Sequence, residues 1–228
     1  MISIICCTMR ESFMDNVFQN YENQILQDKE MIIVLNSDDL FVEKWKAKAR
    51  TYKNIYVYQL PQKRTLGECL NFAIQKANFD YIAKFDDDDY YSPQYLVHAM
   101  ETLKQTKADV VGKRAVYMYF EDEKLLTVHQ PERENKFVRQ GLKGATLFFH
   151  KSICEKVIFP NLNLGEDTVF LRQCVKNNLK LYASDKKNYV CIRLSLSGHH
   201  TWNANNKKLL KKSLVVCHTN DYKSLILE

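Results

Sequence analysis

The segment Tyr81-Ile82-Ala83-Lys84-Phe85-Asp86-Asp87-Asp88-Asp89 decides how the rest of the chain is interpreted. An apolar, strand-like run leads directly into four successive carboxylates. Unit charges about 4 Å apart repel each other by about 1 kcal/mol in water and by about 4 kcal/mol at an effective dielectric constant of 20. The sequence therefore predicts a positive group beside this acidic run.

Three interpretations of the acidic run compete. A solvated acidic turn is the ordinary one for a run of charges. A calcium loop of EF-hand type requires Gly at its sixth position and Glu at its twelfth, but counting from Asp86 these positions hold Tyr91 and Val97. The third interpretation is a hard cation, magnesium or manganese, held by one or two carboxylates together with substrate phosphates. It accounts for the whole local pattern, including the helix that Pro93 is expected to start.

Length, composition and charge limit the class of protein. With 228 residues, of which 46% are hydrophobic and 26% charged, the chain can bury one sizeable core and is expected to form a single domain. Its net charge of +6 is mild. Together with the acidic run, this charge indicates an anionic small-molecule substrate and argues against a nucleic-acid-binding protein.

Cysteine usage and hydropathy indicate the compartment. The seven cysteines form no CxxC pair, and most of them lie within apolar runs, as buried free thiols do. This pattern is typical of a reducing environment. The apolar run at residues 2–7 is too short for a signal peptide, and no later run approaches 18 apolar residues. We therefore expect a cytoplasmic protein with no transmembrane segment.

Strand and helix patterns alternate in the first half of the chain. Short apolar runs at residues 2–7, 31–35, 55–60 and 81–85 are each followed by a polar loop and a helical pattern. Such an alternation predicts right-handed crossovers and a parallel sheet. Residues 109–128 contain a hairpin pattern, after which the sheet is expected to become mixed. The predicted fold is an α/β domain with a mixed, mostly parallel central sheet flanked by helices.

The ligand of an open parallel sheet lies beyond the carboxyl ends of the strands. This rule places four segments along one rim, namely 8–10, 36–38, 63–64 and 86–89. The first strand-to-helix turn carries no GxGxxG or Walker A pattern, which argues against a dinucleotide-binding Rossmann domain and against a P-loop NTPase.

Several motifs, taken in order, carry a resemblance to a known family. They are Ser3-Ile4-Ile5, Asn36-Ser37-Asp38, Leu66-Gly67 with Asn71, the acidic run with Pro93, and Gly165-Glu166-Asp167 with Arg172. The chain resembles the family 2 glycosyltransferases of GT-A fold over nearly its whole length, and more loosely their bacterial spore-surface and capsular members. The resemblance implies one GT-A domain over residues 1–228, with a nucleotide-binding half at 1–107, an acceptor-binding half at 108–204 and a C-terminal helix and tail at 205–228.

The resemblance implies how a nucleotide-sugar donor, usually UDP-linked, is bound. The residues implied are Cys7, Thr8, Arg10, Asn36, Asp38, Arg64, Asp86 and Asp87. Many relatives carry Asp where this chain has Asn36, although an amide can also pair with a pyrimidine edge. Arg64 is expected to meet the diphosphate, where a bidentate charged contact gains most. The alternative for Arg64 is a solvated surface arginine.

The Asp-x-Asp pattern implies a metal site. Asp86 matches the residue that binds the ribose, and Asp88 matches the ligand of Mn²⁺ or Mg²⁺. Asp87 and Asp89 are expected to tune the site or to cap the following helix. His200 is a candidate third metal ligand or phosphate donor, and its alternative is a structural histidine.

The pair Glu166-Asp167 implies the acceptor side of the site. Asp167 matches the general base that takes the proton of the acceptor hydroxyl in the family's inverting mechanism, and Glu166 is expected to orient the acceptor. The alternative for Asp167 is a carboxylate at a helix N-terminus that favours the helix dipole.

These expectations define a metal-dependent, inverting, non-processive glycosyltransferase. The Gln-x-x-Arg-Trp pattern of processive synthases is missing from the sequence. The expected acceptor is a glycan, a lipid-linked molecule or a protein, in surface polysaccharide or glycoconjugate synthesis. The lysine-rich segment 207–212 predicts an amphipathic surface helix or a peripheral contact with an anionic membrane. The alternatives are a sugar-phosphate nucleotidyltransferase and an inactive protein that binds sugars or nucleotides.

Overall fold

The computed structural model describes residues 1–194 and 206–227. Four strands and four helices alternate in the first half. The strands are β1 (Ile2–Thr8), β2 (Lys29–Leu35), β3 (Ile55–Gln59) and β4 (Tyr81–Phe85), and the helices are α1 (Met14–Glu22), α2 (Val42–Ala49), α3 (Leu66–Lys76) and α4 (Tyr95–Thr106). The strands β1, β2 and β4 are short, apolar and buried on both faces, as expected of strands covered by helices on each side.

The second half adds shorter strands and two helices. They are β5 (Tyr90–Tyr91), β6 (Val110–Lys113), β7 (Val116–Phe120), β8 (Leu125–His129), β9 (Lys136–Val138), β10 (Phe148–His150), α5 (Glu166–Lys176), β11 (Leu181–Ser184), β12 (Tyr189–Arg193), α6 (Asn206–Leu210) and β13 (Ser213–His218). Glu166 and Asp167 are the first two residues of α5.

The central sheet has the strand order β3-β2-β1-β4-β10-β6-β11-β9 among the described residues. The strands β1 to β4 pair in parallel, and β10 pairs antiparallel with both β4 and β6. The predicted mixed, mostly parallel sheet is therefore confirmed. In its register, Cys6 of β1 lies opposite Phe85 of β4, so that Thr8 is level with Asp87, just beyond the end of β4.

A second sheet of five strands, in the order β13-β8-β7-β12-β5, was not predicted. The predicted hairpin is present as the antiparallel pair β7–β8, but it belongs to this second sheet. Val110 and Val111 fall within the predicted hairpin segment 109–128, but in the structure they belong to β6 of the central sheet. The strand β10 has only three residues, and residues Gly144–Thr146, shortly before it, form a 3₁₀ turn.

Two apolar cores lie on opposite faces of the central sheet. Phe18 and Trp45, from α1 and α2, belong to one core, and Cys69 and Phe170, from α3 and α5, belong to the other. The cysteines of the chain are free, as predicted. Each helix in the described ranges is too short or too polar to cross a bilayer.

Candidate active site

The rim of the site is formed where β1 and β4 end side by side. Because the two strands are parallel neighbours, the residues that follow them meet at one edge of the sheet. The hydroxyl of Thr8 donates a hydrogen bond to Asp87 Oδ2. Cys7, the preceding residue, is half-buried, and burial raises the pKa of its thiol, which keeps it neutral.

The positive group that the acidic run requires is supplied in part by Arg10. Its guanidinium forms an ion pair with Asp87, and its Nη2 lies 3.1 Å from Asp88 Oδ2. The ring of Phe13 lies 4.6 Å from the same guanidinium. Burial opposes the charge of Arg10, but the hydrogen bond and charge of Asp87, with the charge of Asp88, outweigh it and raise the arginine pKa. Arg10 is thus placed beside the carboxylates expected to meet the donor.

A second cation, Lys84, lies beneath the rim. Its side chain is only 4% exposed, and Nζ lies 2.5 Å from Asp86 Oδ1. Sequence reasoning missed this residue. The sequence does contain a signal, namely a lysine inside an otherwise apolar central strand. Such a lysine is expected to have a charged partner, because lysines are almost never fully buried unless they are paired.

The four aspartates divide into two buried and two accessible carboxylates. Asp89 is buried and accepts hydrogen bonds from the hydroxyl of Tyr189 and, at 3.1 Å, from the backbone N–H of Ile192. It therefore fastens β12 to the end of β4, and the expectation that it caps α4 is wrong. Asp87 is also buried, which raises its pKa although Arg10 opposes the shift. The backbone carbonyls of both residues are held by Asn16 Nδ2, at 2.7 and 2.9 Å.

Asp86 and Asp88 are the carboxylates that solvent reaches, with side chains 40% and 12% exposed. Carboxylate oxygens are suitable ligands for magnesium and manganese. In the described part of the chain, no three His, Cys, Asp or Glu side chains are grouped so that they could hold a metal ion. Within this part of the chain, an ion at Asp88 would therefore need further ligands, such as the phosphate oxygens of a substrate. The predicted ligand His200 lies outside the described residues.

Hydrogen bonds join the turns that follow β1, β2 and β3. The N–H of Asn36 donates to the carbonyl of Thr8 at 2.8 Å, and its side-chain amide donates to the carbonyl of Pro61 at 3.1 Å. Asp38 Oδ1 accepts from the N–H of Gln62 at 3.2 Å. These contacts place both predicted nucleotide-binding residues on the rim, with their side chains partly engaged in shaping it.

Arg64 is placed differently from the other predicted donor-binding residues. Its Nη1 lies 2.5 Å from Glu68 Oε1, one turn along α3, and its side chain is half exposed. Glu68 also completes a capping box with Thr65 at the start of α3. This position is closer to the surface-arginine alternative than to a preformed diphosphate contact.

Glu166 and Asp167 form the first turn of α5. The helix follows Gly165, whose φ of +81° is in the left-handed region that glycine adopts readily. Glu166 is buried, and burial raises its pKa while the charge of Lys84 opposes the shift. Asp167 Oδ1 accepts from the backbone N–H of Thr168 at 2.6 Å.

Gly144 lies directly beneath Asp167. A Cβ atom added to Gly144 would be 2.6 Å from Asp167 Oδ2 and 3.0 Å from Asp167 Cβ. Real Cβ atoms do not come this close to a neighbouring atom, so a larger residue at position 144 would displace the Asp167 side chain. The sequence did not predict this contact between Gly144 and Asp167.

Tyr91 connects the acidic run to the turn that carries Gly144. The N–H of Asp86 donates to Tyr91 Oη at 2.8 Å, and the tyrosine hydroxyl donates to the carbonyl of Ala145 at 2.7 Å. Asp86 therefore lies next to the turn against which Asp167 packs. The structure brings the predicted donor-side and acceptor-side carboxylates to one rim.

The chain is similar to known glycosyltransferases in both sequence and structure. The sequence model of Glycosyl transferase family 2 matches residues 3–159. The O-antigen biosynthesis glycosyltransferase WbnJ of Escherichia coli is 30% identical over 117 residues, which are 49% of this chain and 45% of that protein. The chain therefore spans less than half the length of this curated relative.

Two solved structures show the same fold. S. aureus TarS 1-349 in complex with UDP-GlcNAc has a TM-score of 0.67 at 19% identity, over 90% of this chain and 61% of that chain. The mannosyltransferase PcManGT from Pyrobaculum calidifontis, in complex with GDP-Man and Mn²⁺, has a TM-score of 0.63 at 15% identity, over 92% and 62% of the two chains. The predicted GT-A fold is confirmed.

Proposed function

Because this chain belongs to glycosyl transferase family 2, we propose that it is an inverting, metal-dependent, non-processive transferase that moves a sugar from a UDP-linked donor to a hydroxyl acceptor. One observation carries the proposal. Accessible carboxylates at the end of β4 lie at the same rim as Asp167, and the hydrogen bonds of Tyr91 to Asp86 and Ala145 link the two groups.

On the donor side, Asp86 binds the ribose and Asp88 holds Mn²⁺ or Mg²⁺. The metal ion, when bound, neutralises the negative charge that develops on the departing nucleoside diphosphate. Arg10 lies against Asp88, so its guanidinium is within reach of the same phosphates. The choice of UDP is supported by the complexes of TarS with UDP-GlcNAc and UDP.

On the acceptor side, Asp167 takes the proton of the attacking hydroxyl. Its Oδ1 is held by the N–H of Thr168, which fixes the orientation of the carboxylate. A base on the face opposite the leaving nucleotide leads to inversion at the anomeric carbon. Since α5 lies beyond residue 159, where the family match ends, this role rests on the packing against Gly144 and on the position at the rim. The neighbouring Glu166 orients the acceptor.

The acceptor is a glycan or a lipid-linked or protein-linked hydroxyl in surface polysaccharide or glycoconjugate synthesis. The likeness to an O-antigen biosynthesis glycosyltransferase supports this class. A cytoplasmic location, expected from the free cysteines, is part of the same proposal.

The proposal is tested by measuring nucleotide release from a panel of UDP-sugars and GDP-mannose with Mn²⁺, and with EDTA in its place. We expect metal-dependent release from a UDP-sugar. Asp167→Asn should keep the affinity for UDP and lower turnover by about 10²- to 10⁴-fold, the contribution typical of a general base. Asp109→Asn, at the start of β6, is the control, because Asp109 accepts from the backbone of Lys180 outside the site.

Unchanged turnover in Asp167→Asn would exclude Asp167 as the base. Tight UDP binding with no transfer to any acceptor would instead favour an inactive binding protein.

A further inference from the structure

Lys84 is buried in the middle of the central sheet, directly below the site. It belongs to β4, lies opposite Ile5 of β1, and donates its backbone N–H to the carbonyl of Leu147 at 2.9 Å. Because side chains alternate along a strand, Lys84 faces the same side as Ile82, which packs in the core under α3 and α5. The lysine side chain therefore points toward the helix that carries Asp167.

The ammonium group of Lys84 contacts the donor side of the site. Its Nζ lies 2.5 Å from Asp86 Oδ1, and its side chain is nearly inaccessible to solvent. An isolated ammonium in this position would be strongly disfavoured. The charge persists because Asp86 and, after it, Glu166 and Asp167 favour the protonated form, which raises the lysine pKa in spite of burial.

The same ammonium group faces the acceptor side. Glu166 is buried at the first position of α5, the helix toward which Lys84 points, and the charge of Lys84 opposes the rise in the Glu166 pKa that burial causes. One buried cation thus contacts a carboxylate at the end of β4 and faces the helix that begins with two more. Without it, these like charges would repel each other in a medium of low dielectric constant.

We propose that Lys84 is a positioning residue that couples the donor side of the site to the acceptor side. This inference rests on the proposed function. Lys84 holds Asp86 toward the donor ribose, and it fixes the first turn of α5 so that Asp167 meets the acceptor. Lys84 touches neither the donor nor the acceptor and acts through these carboxylates alone.

The test compares Lys84→Met, which keeps the length of the side chain and removes its charge, with Lys84→Arg, which restores a cation. Lys113→Met is the matched control. Lys113 is also a buried lysine, with 2% exposure, but its Nζ bonds to the carbonyl of Asp185 at 2.7 Å and not to the carboxylates of the site. The measurements are the dissociation constant for UDP, the kcat for sugar transfer, and the titration of Glu166 followed by carboxyl NMR.

We expect Lys84→Met to weaken UDP binding and to lower kcat, each by about tenfold or more, because a buried hydrogen bond between charged groups is lost. The pKa of Glu166 should rise in Lys84→Met and fall back in Lys84→Arg. Lys113→Met should change each of these quantities by less than about twofold, although it lowers thermal stability to a similar degree.

A purely structural role would lower the stability of Lys84→Met and leave the UDP affinity, the kcat and the Glu166 titration as they are in the wild type, which would overturn the proposal. A loss of UDP affinity with an unchanged kcat would overturn the coupling as well. If the wild type neither bound UDP nor transferred sugar, the proposed function would fail. In that case an unchanged Glu166 titration would overturn the coupling separately, and a shifted one would support it.

Discussion

Asp87 and Asp89 are buried, while Asp86 and Asp88 reach solvent. This division follows from contacts beyond the end of β4, because Thr8 and Arg10 cover Asp87, while Tyr189 and Ile192 cover Asp89. The sequence predicted a positive group beside the run. It did not predict that Arg10 and Lys84 supply this positive charge. Their contacts with the aspartates depend on the tertiary packing of the chain, which the sequence of the run does not show.

The variant Gly144→Ala tests whether sugar transfer depends on the position of the Asp167 carboxylate. The added Cβ would lie 2.6 Å from Asp167 Oδ2, so the carboxylate must move. We expect sugar transfer to fall by about tenfold or more, since a displacement of about 1 Å at a reacting group can cost up to about 100-fold. The affinity for UDP should remain, because the donor-side carboxylates lie on a different segment.

Gly112→Ala provides the comparison, measured in the same transfer and UDP-binding assays. Its Cβ would be 3.3 Å from Leu142 and Thr146, a tight contact without a carboxylate. Equal losses of transfer in the two variants would show that crowding, and not displacement of Asp167, causes the effect.

At the scale of elements, the strands with a strong apolar pattern were predicted well. The first four strands and their helices occur where the pattern placed them. The second sheet was missed because a hydrophobic pattern identifies a strand but not the sheet that it joins. The strand β6, only four residues long, was grouped with its neighbour β7 along the chain, whereas in the structure the two lie in different sheets.

We expect Asp89 to stabilise the fold by joining the end of β4 to β12. Asp89→Ala removes the acceptor for the buried hydroxyl of Tyr189 and for the N–H of Ile192, and each unsatisfied group costs about 1 to 3 kcal/mol. We expect the free energy of unfolding to fall by at least about 2 kcal/mol, as measured by urea denaturation. Asp122→Ala, in an exposed turn, should change it by less than about 0.5 kcal/mol. Similar values for the two variants would refute the linking role.

His129 makes the second sheet sensitive to acid. It is 2% exposed, its Nδ1 lies 3.2 Å from Ser213 Oγ on β13, and burial lowers its pKa to about 4. Between pH 6.5 and 4 the unfolded chain binds a proton there that the folded chain does not, so the folded state loses stability as the pH falls. The loss from this one group is at most about 1.4 kcal/mol per pH unit.

The corresponding experiment is urea denaturation at pH 7 and pH 5. His129→Gln should reduce the difference in unfolding free energy between the two pH values. His218→Gln, at an exposed position, should leave the difference as it is in the wild type. If His129→Gln had no effect on the difference, protonation of His129 would not be a source of acid sensitivity.

At the scale of the whole molecule, segments that are far apart along the chain meet at one rim. The family match covers residues 3–159, which include the acidic run, and ends before α5. Sequence reasoning selected Asp167 only through the order of motifs. Its contact with Gly144 and the link through Tyr91 follow from the tertiary packing of segments about 20 to 80 residues apart, which no local pattern reveals.

We propose that Asp88 connects a divalent cation to a nucleoside diphosphate at this rim. Calorimetry of UDP binding with and without Mn²⁺, for the wild type and for Asp88→Ala, measures this role. We expect Mn²⁺ to strengthen UDP binding to the wild type by about tenfold or more, and Asp88→Ala to abolish this enhancement while the fold is kept. Equal enhancement in the two proteins, or UDP binding that does not respond to the metal, would contradict it.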